Sequence, residues 1–189
     1  VRDPIFWVLL TGVLAPGFIG TTIFYHQDYM AALNGWPPQL FATSLVVLSS
    51  TTVVVALITG WVIDRYGAVS VLPFFLVPLS ASCLVLSLNG PPLVLYVVMV
   101  FLGIAYGASS TLFGSLWPGI YGTVYLGSIR AVTVSAVVIA TAAGPGLTGT
   151  LIDQGITLPR QMFYLAIYCL AATVAMGVAA VFLRRRAAG

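Results

Sequence analysis

The segment LFATSLVVLSSTTVVVALITGWVI, residues 40–63, decides the fold class. It contains no charged side chain, and its few polar groups are hydroxyls set among aliphatic residues. About 20 such residues cross the hydrocarbon core of a bilayer as an α-helix. The segment therefore predicts a membrane-spanning helix rather than an element of a water-soluble core.

Five more apolar runs of comparable length flank this segment, separated by polar, proline or glycine residues. Between the fourth and fifth runs, Pro118-Gly119 is predicted to open a loop that reaches Arg130. We therefore predict an all-α membrane protein with one six-helix domain over residues 1–189. The predicted helices cover residues 5–25, 40–63, 71–88, 93–117, 132–152 and 162–183.

The composition favours the same class of protein. Hydrophobic residues make up 60% of the chain and charged residues only 6%, whereas about a quarter of a soluble domain is charged. The expected partner of most of the surface is therefore lipid. The basic residues are spread singly between apolar runs except at Arg184 to Arg186. Because this leaves no basic stripe, nucleic acid is not an expected partner.

The arginines also predict an orientation. Short cytoplasmic loops are enriched in basic residues. With the N-terminus inside, Arg2, Arg65, Arg130 and the cluster Arg184 to Arg186 are cytoplasmic, and only Arg160 is outside. We expect an integral protein of a bacterial cytoplasmic (inner) membrane with both ends cytoplasmic. The chain begins with Val, so we expect part of the protein to precede it.

Two predicted helices end in related sequences. The second ends Gly60-Trp61-Val62-Ile63-Asp64, and the fifth ends Gly149-Thr150-Leu151-Ile152-Asp153. Each is the middle helix of a group of three, and the predicted topology puts their ends on opposite membrane faces. Inverted-topology repeats of this kind are common in secondary transporters. We predict two inverted three-helix repeats.

A charged loop motif follows the second predicted helix. The stretch Gly60-Trp61-Val62-Ile63-Asp64-Arg65-Tyr66-Gly67 resembles the Gly-x-x-x-Asp-Arg-x-Gly signature of the major facilitator superfamily, between the second and third helices of a six-helix half. The basic residues that follow in the family are replaced by Ala68 and Val69. The segment Gly144-Pro145-Gly146-Leu147-Thr148-Gly149 is similar to the family's Gly-Pro-x-x-Gly bend of the fifth helix.

The resemblance implies a function. The six helices would be the seventh to twelfth of a twelve-helix secondary transporter that moves a small solute by alternating access. The missing partner would be an N-terminal six-helix half. Gly60, Asp64, Arg65 and Gly67 would form a gating loop, with Asp64 paired to the opposite half on the cytoplasmic side. Gly144, Pro145 and Gly149 would form the helix bend.

Hydroxyl side chains are the main polar groups within the predicted spans. In the family the first, second, fourth and fifth helices of each half line the central cavity, and these helices carry most of the hydroxyls here. No ionised side chain lies in the middle of a span, so the sequence identifies no particular substrate. The cavity-lining candidates are Thr21, Thr22, Tyr25, Ser49, Tyr106, Ser109 and Thr133.

His26 is the only histidine, at the outer end of the first predicted helix. Because histidine titrates near neutral pH, it is the candidate for coupling proton movement to transport. The neighbouring Gln27 and Asp28 favour the alternative of an interfacial polar residue. Cys83 and Cys169 have no metal-ligating residue suitably spaced, and we predict neither a metal nor another cofactor.

Two other functions are alternatives to a role as half of a transporter. A half-size protein that homodimerises, as transporter or scaffold, would supply the missing partner from a second copy. An intramembrane serine protease would need a serine paired with a histidine. Gly107-Ala108-Ser109-Ser110 lacks the final glycine of the rhomboid motif, and His26 precedes the serine instead of following it. We therefore expect no enzyme.

Overall fold

The computed structural model describes residues 3–188, and Arg2 lies outside that range. No strand is present among these residues. A short 3-10 helix, Ala68–Ser70, lies between the third and fourth of seven α-helices. The α-helices are α1 (Pro4–Tyr25), α2 (Gln27–Asn34), α3 (Gln39–Tyr66), α4 (Val77–Ser87), α5 (Leu93–Tyr121), α6 (Leu126–Asp153) and α7 (Leu158–Ala188).

Five helices, α1, α3, α5, α6 and α7, are long and apolar enough to cross a membrane. This confirms the prediction of an all-α chain built from apolar membrane-span candidates. The third predicted helix, over residues 71–88, is wrong in its length, because α4 has only 11 residues. Residues 71–76 form turns instead. Pro73 has no N–H to donate, and Pro78 fits only the first turn of a helix, so regular structure begins at Val77.

The predicted loop from Pro118 to Arg130 is also wrong in its bounds, because only residues 122–125 lie between α5 and α6. α5 continues through Pro118 to Tyr121, and Arg130 lies within α6. A proline inside a helix leaves the carbonyl four residues earlier without its usual donor, here that of Gly114. The Arg130 guanidinium donates to this oxygen at 3.3 Å. Because the carbonyl is satisfied, the helix does not need to end.

The polar stretch after α1 forms α2, which ends at Gly35 with a φ of 64°. Beyond it, the indole N–H of Trp36 donates to the Gly90 carbonyl at 2.8 Å. The Gly90 N–H donates to the Asn34 side-chain oxygen at 3.2 Å. The turn between α4 and α5 is therefore fastened to the end of the bundle at which α1 finishes.

The closest helix pair is α3 with α5, which run parallel. A Cβ atom on Gly103 would lie 2.8 Å from the Leu48 carbonyl oxygen. One turn further along both helices, a Cβ atom on Gly107 would lie 2.5 Å from the Thr52 oxygen. Only glycine permits this approach, because the main chains themselves are in contact.

The second close pair is α1 with α6, also parallel. A Cβ atom on Gly144 would meet the Phe18 carbonyl oxygen at 2.6 Å, and one on Gly17 would meet the Thr141 methyl group at 3.0 Å. The short α4 runs antiparallel to α7, to which Ser80 donates a hydrogen bond at the Ala166 carbonyl, 2.9 Å away. It also packs on α5, and α1 packs on α7.

Charge is unequal between the two ends of this bundle. Trp117 near the end of α5 packs on Phe6 near the start of α1, with ring centroids 5.3 Å apart. Arg186 reaches Asp3 at the same end. Of the six arginines in the described part of the chain, only Arg160 lies at the opposite end, near the start of α7.

Replacing Gly107 by Ala tests the α3–α5 contact. The new methyl group would strike the backbone of α3, so we expect a loss of roughly 1–3 kcal/mol in the free energy of unfolding. Gly114→Ala is the matched control, because nothing lies within 4 Å of a Cβ there. Both changes gain the same helix propensity. Thermal unfolding in detergent measures the difference, and equal melting of the two variants would contradict the packing.

Candidate functional site

A cavity of about 610 Å³ opens between α1 and α6 at the end of the bundle opposite Asp3. It unites four residues that the sequence predicted for different roles, namely Tyr25, His26, Pro145 and Gly149. Both polar and apolar side chains line it. The full lining is Tyr25, His26, Thr141, Ala142, Pro145, Gly146, Gly149, Thr150 and Asp153.

Pro145 lines this cavity and removes one backbone hydrogen bond from α6. A proline cannot donate to the carbonyl four residues before it, which leaves the Thr141 oxygen without its helical partner. The Thr21 hydroxyl of α1 lies 3.0 Å from that oxygen across the helix interface and 2.9 Å from the Gly17 carbonyl oxygen of its own helix, so the two carbonyls share its single proton. In lipid an unpaired carbonyl is costly, so the interhelical bond makes the interruption of α6 tolerable. Gly144 next to the proline is buried against α1.

His26 presents one nitrogen to the cavity. Its Nδ1 lies 3.1 Å from the Thr22 carbonyl oxygen. Because a carbonyl only accepts hydrogen bonds, this contact assigns the proton of the neutral ring to Nδ1 and leaves Nε2 as an acceptor. Nε2 lies 3.9 Å from the position of a Cβ on Gly149, so the absence of a side chain there leaves room beside the ring.

The electrostatics of the cavity favour a cation or a hydrogen-bond donor. Asp153 is the only carboxylate among the described residues that line it, and no arginine lines it. α1 ends at Tyr25 and α6 at Asp153, so two helix C-termini meet there, and the N-terminus of the short α2 follows at Gln27. A helix C-terminus carries partial negative charge. Among the described residues, no group of three or more His, Cys, Asp or Glu is placed to hold a metal ion.

The predicted gating loop lies at the other end of the bundle, apart from this cavity. Asp64 is exposed at the end of α3 and has no ion pair within residues 3–186. The Arg65 guanidinium lies over the rings of Trp61 and Tyr66, 5.7 Å from each centroid. Gly67 ends the helix with a φ of 81°, a conformation that favours glycine. Gly60 lies on α3 facing Thr111.

The remaining cavity candidates lie elsewhere. Ser49 is exposed on α3, and Thr22 is buried with a bond to Phe18. Tyr106 packs its hydroxyl against Gly20, where even a methyl group would not fit. Thr133 is buried and donates to the Ile129 carbonyl of its own helix at 3.1 Å.

Ser109 is buried, and its hydroxyl has no hydrogen-bond partner within the described structure. It lies one turn beyond Tyr106, which packs on Gly20. Gly20 is six residues, or roughly 9 Å along the helix axis, before His26. The serine and the histidine are therefore at different depths, an arrangement that lends no support to a serine protease pair.

Asp3 is a functional candidate that the sequence analysis missed. Its carboxylate accepts from the Ile5 N–H at 3.1 Å, from Arg186 at 2.9 Å and from the Tyr121 hydroxyl at 3.4 Å. The ends of α1, α5 and α7 are thus tied together. Asp-Pro at a helix start is a recognisable N-cap signal, but only the tertiary structure identifies the other two partners.

The charge state of Asp3 follows from these contacts. Partial burial acts to raise the pKa of Asp3. The hydrogen bond from Arg186, the Ile5 N–H, the arginine charge and the Tyr121 hydroxyl outweigh that effect and hold the pKa below its ordinary value. Asp3 is therefore ionised at neutral pH, as an ion pair requires.

No family model matches this chain, and no curated protein matches it in sequence.

A double-mutant cycle tests the role of Thr21. Thr21→Val removes the donor to the Thr141 carbonyl, and we expect a loss of about 1 kcal/mol in the free energy of unfolding. In a Pro145→Ala background the restored N–H satisfies that carbonyl, so the cost of Thr21→Val should largely disappear. Unfolding in detergent measures all four proteins.

Thr11→Val is the control, because the Thr11 hydroxyl bonds only to Val8 of its own helix. A cost for Thr21→Val that is the same with and without Pro145 would contradict the compensation.

Proposed function

We propose that this chain forms one six-span half of a secondary transporter of the major facilitator type, which moves a small solute by alternating access. The observation that carries the proposal is the pattern of helix pairing. Let α1, α3 and α4 be the first group of three spans, and α5, α6 and α7 the second. In an exchange of the two groups, α1 and α5 replace each other, as do α3 and α6, and α4 and α7. The α3–α5 pair then becomes the α6–α1 pair, and the α4–α5 pair becomes the α7–α1 pair. The α4–α7 pair converts into itself.

The exchange extends to single residues. On α5, Gly107 contacts the backbone at Thr52, and one turn later Thr111 donates to the Ala56 carbonyl at 3.2 Å. On α1, Gly17 contacts Val137 and Thr141, and one turn later Thr21 donates to the Thr141 carbonyl. In each pair, a glycine and the threonine four residues later bind a parallel helix. This repetition supports two inverted three-helix repeats.

Burial follows the same exchange. The most apolar windows of α1 and α5 are 56% and 50% buried, whereas those of α3 and α6 are each 17% buried. The helices that the exchange relates therefore have similar environments. The two exposed helices carry hydroxyls such as Ser49 and Ser135. Surfaces of this kind support a second six-helix bundle beside this one, either an N-terminal half or a second copy.

In the proposed orientation, the arginine-rich end of the bundle is cytoplasmic, in accord with the charge bias of membrane proteins. The host would be a bacterial inner membrane. The cavity with His26 and Asp153 then opens on the outer side, and Asp64 lies inside. A solute with hydrogen-bond donors, with or without a coupled proton, fits the acceptors of that cavity.

Asp64→Asn tests the gate. Removing the charge should shift the balance between inward-closed and inward-open states by about 1–3 kcal/mol and lower uptake by roughly tenfold. Asp28→Asn is the control, an exposed carboxylate of α2 at the other end. Uptake is measured in proteoliposomes of the intact protein with a radiolabelled panel of sugars, amino acids and organic acids. Uptake by no solute above protein-free vesicles, or equal uptake by the two variants, would contradict the proposal.

His26→Gln tests proton coupling in the same vesicles. Glutamine keeps a polar side chain but has no ionisable group, so we expect the dependence of uptake on external pH to flatten. Replacement of Tyr25 by Phe, which leaves the imidazole in place, should keep the profile of the unchanged protein. A His26→Gln profile that matches the unchanged protein would return His26 to the class of interfacial polar residues.

A further inference from the structure

An apolar groove of about 540 Å³ runs along the outside of the bundle between α3, α5 and the turns before α4. It exists because residues 71–76 do not form a regular helix and leave Phe74 and Val71 at its rim. Most of its lining is aliphatic or aromatic. The lining residues are Val55, Thr59, Val62, Tyr66, Ser70, Val71, Phe74, Phe75, Pro78, Ile104, Ala108 and Arg184.

The length of the groove matches one leaflet of a bilayer. On α3 it extends from Val55 to Tyr66, which is 11 residues or roughly 16 Å along the helix axis. The hydrocarbon core of a bilayer is about 30 Å thick. The groove therefore reaches from the end of the bundle to about the membrane centre, the depth of one acyl chain.

Polar groups occur mainly at one end of the groove. Tyr66, Ser70 and Arg184 lie where α3 finishes, at the arginine-rich end of the bundle. A phospholipid has the same distribution, with an apolar chain and a charged group at the interface. Tyrosine is also typical of this level of the membrane.

Arg184 is the arginine available for an anion at this mouth. Arg186 is paired with Asp3, and Arg65 lies over two aromatic rings. Arg184 is exposed and has no carboxylate partner in the described part of the chain. A guanidinium is a strong donor to phosphate oxygens.

We propose that this groove binds an anionic phospholipid, with one acyl chain along α3 and the phosphate against Arg184. The occupant comes from the leaflet on the side of the arginine-rich end. Basic residues at this level of a membrane attract anionic lipids. The site is separate from the cavity between α1 and α6, and it does not depend on which solute the protein moves.

Native mass spectrometry of the purified chain in a mild detergent tests the proposal. The probes are phosphatidylglycerol and phosphatidylcholine with identical long acyl chains. We expect phosphatidylglycerol to be retained preferentially, and Arg184→Gln to lower its affinity about fivefold, the effect of one arginine at a membrane surface. Arg185→Gln is the matched control, since Arg185 is exposed but does not line the groove.

Two further probes separate the parts of the ligand. Phosphatidylglycerol with six-carbon chains and inorganic phosphate should both be retained poorly, because neither fills the groove. Equal retention by Arg184→Gln and the unchanged chain, an equal loss in Arg185→Gln, or equal retention of the two long-chain lipids would overturn the proposal. So would strong binding of the short lipid or of free phosphate. Thermal unfolding without added lipid verifies that both variants are folded.

Discussion

The contact between the backbones of α3 and α5 at Gly107 is the constraint on which the rest of the bundle depends. Lipid offers no hydrophobic driving force between helices, so close packing and interhelical hydrogen bonds must hold them together. A Cβ atom 2.5 Å from the Thr52 oxygen would separate the two helices. The equivalent approach of α6 to α1 at Gly144 fixes the other close pair. With both pairs in place, α4 and α7 complete the bundle on one side.

A second constraint concerns the prolines inside the long helices. Pro145 lies within α6 and Pro118 in the last turn of α5, and each removes a backbone donor. Thr21 supplies the donor for the carbonyl that Pro145 leaves free, and Arg130 does the same for Pro118. The interruption of α6 lies in the wall of the cavity that contains His26. The sequence thus places a helix that lacks one of its own backbone hydrogen bonds, a glycine and a histidine around one cavity.

Much of this architecture can be predicted from local sequence, because a helix that crosses the bilayer needs an apolar run of a definite length. The spans at residues 5–25 and 40–63 agree closely with α1 and α3. The prediction fails where a distant residue compensates for a local break, as Arg130 does for Pro118. It also fails where two prolines act together, as Pro73 and Pro78 do at the start of α4. The cavity that His26 and Gly149 share could not be predicted from the sequence either, because it depends on α1 lying beside α6. Asp64 was found by its motif, but the described residues give it no partner.

We propose that the chain crosses the membrane six times, with the short α4 as the third crossing and two groups of three helices in opposite orientation. Sided labelling of single cysteines with a membrane-impermeant maleimide in sealed vesicles tests it most directly, with Cys83 and Cys169 replaced by alanine. The positions are Tyr66→Cys and Pro91→Cys, which flank the third crossing, with Thr123→Cys and Gln154→Cys beyond the fourth and fifth. We expect positions 66 and 123 to share one membrane face and positions 91 and 154 to share the other. Labelling of positions 66 and 91 from the same face would contradict it.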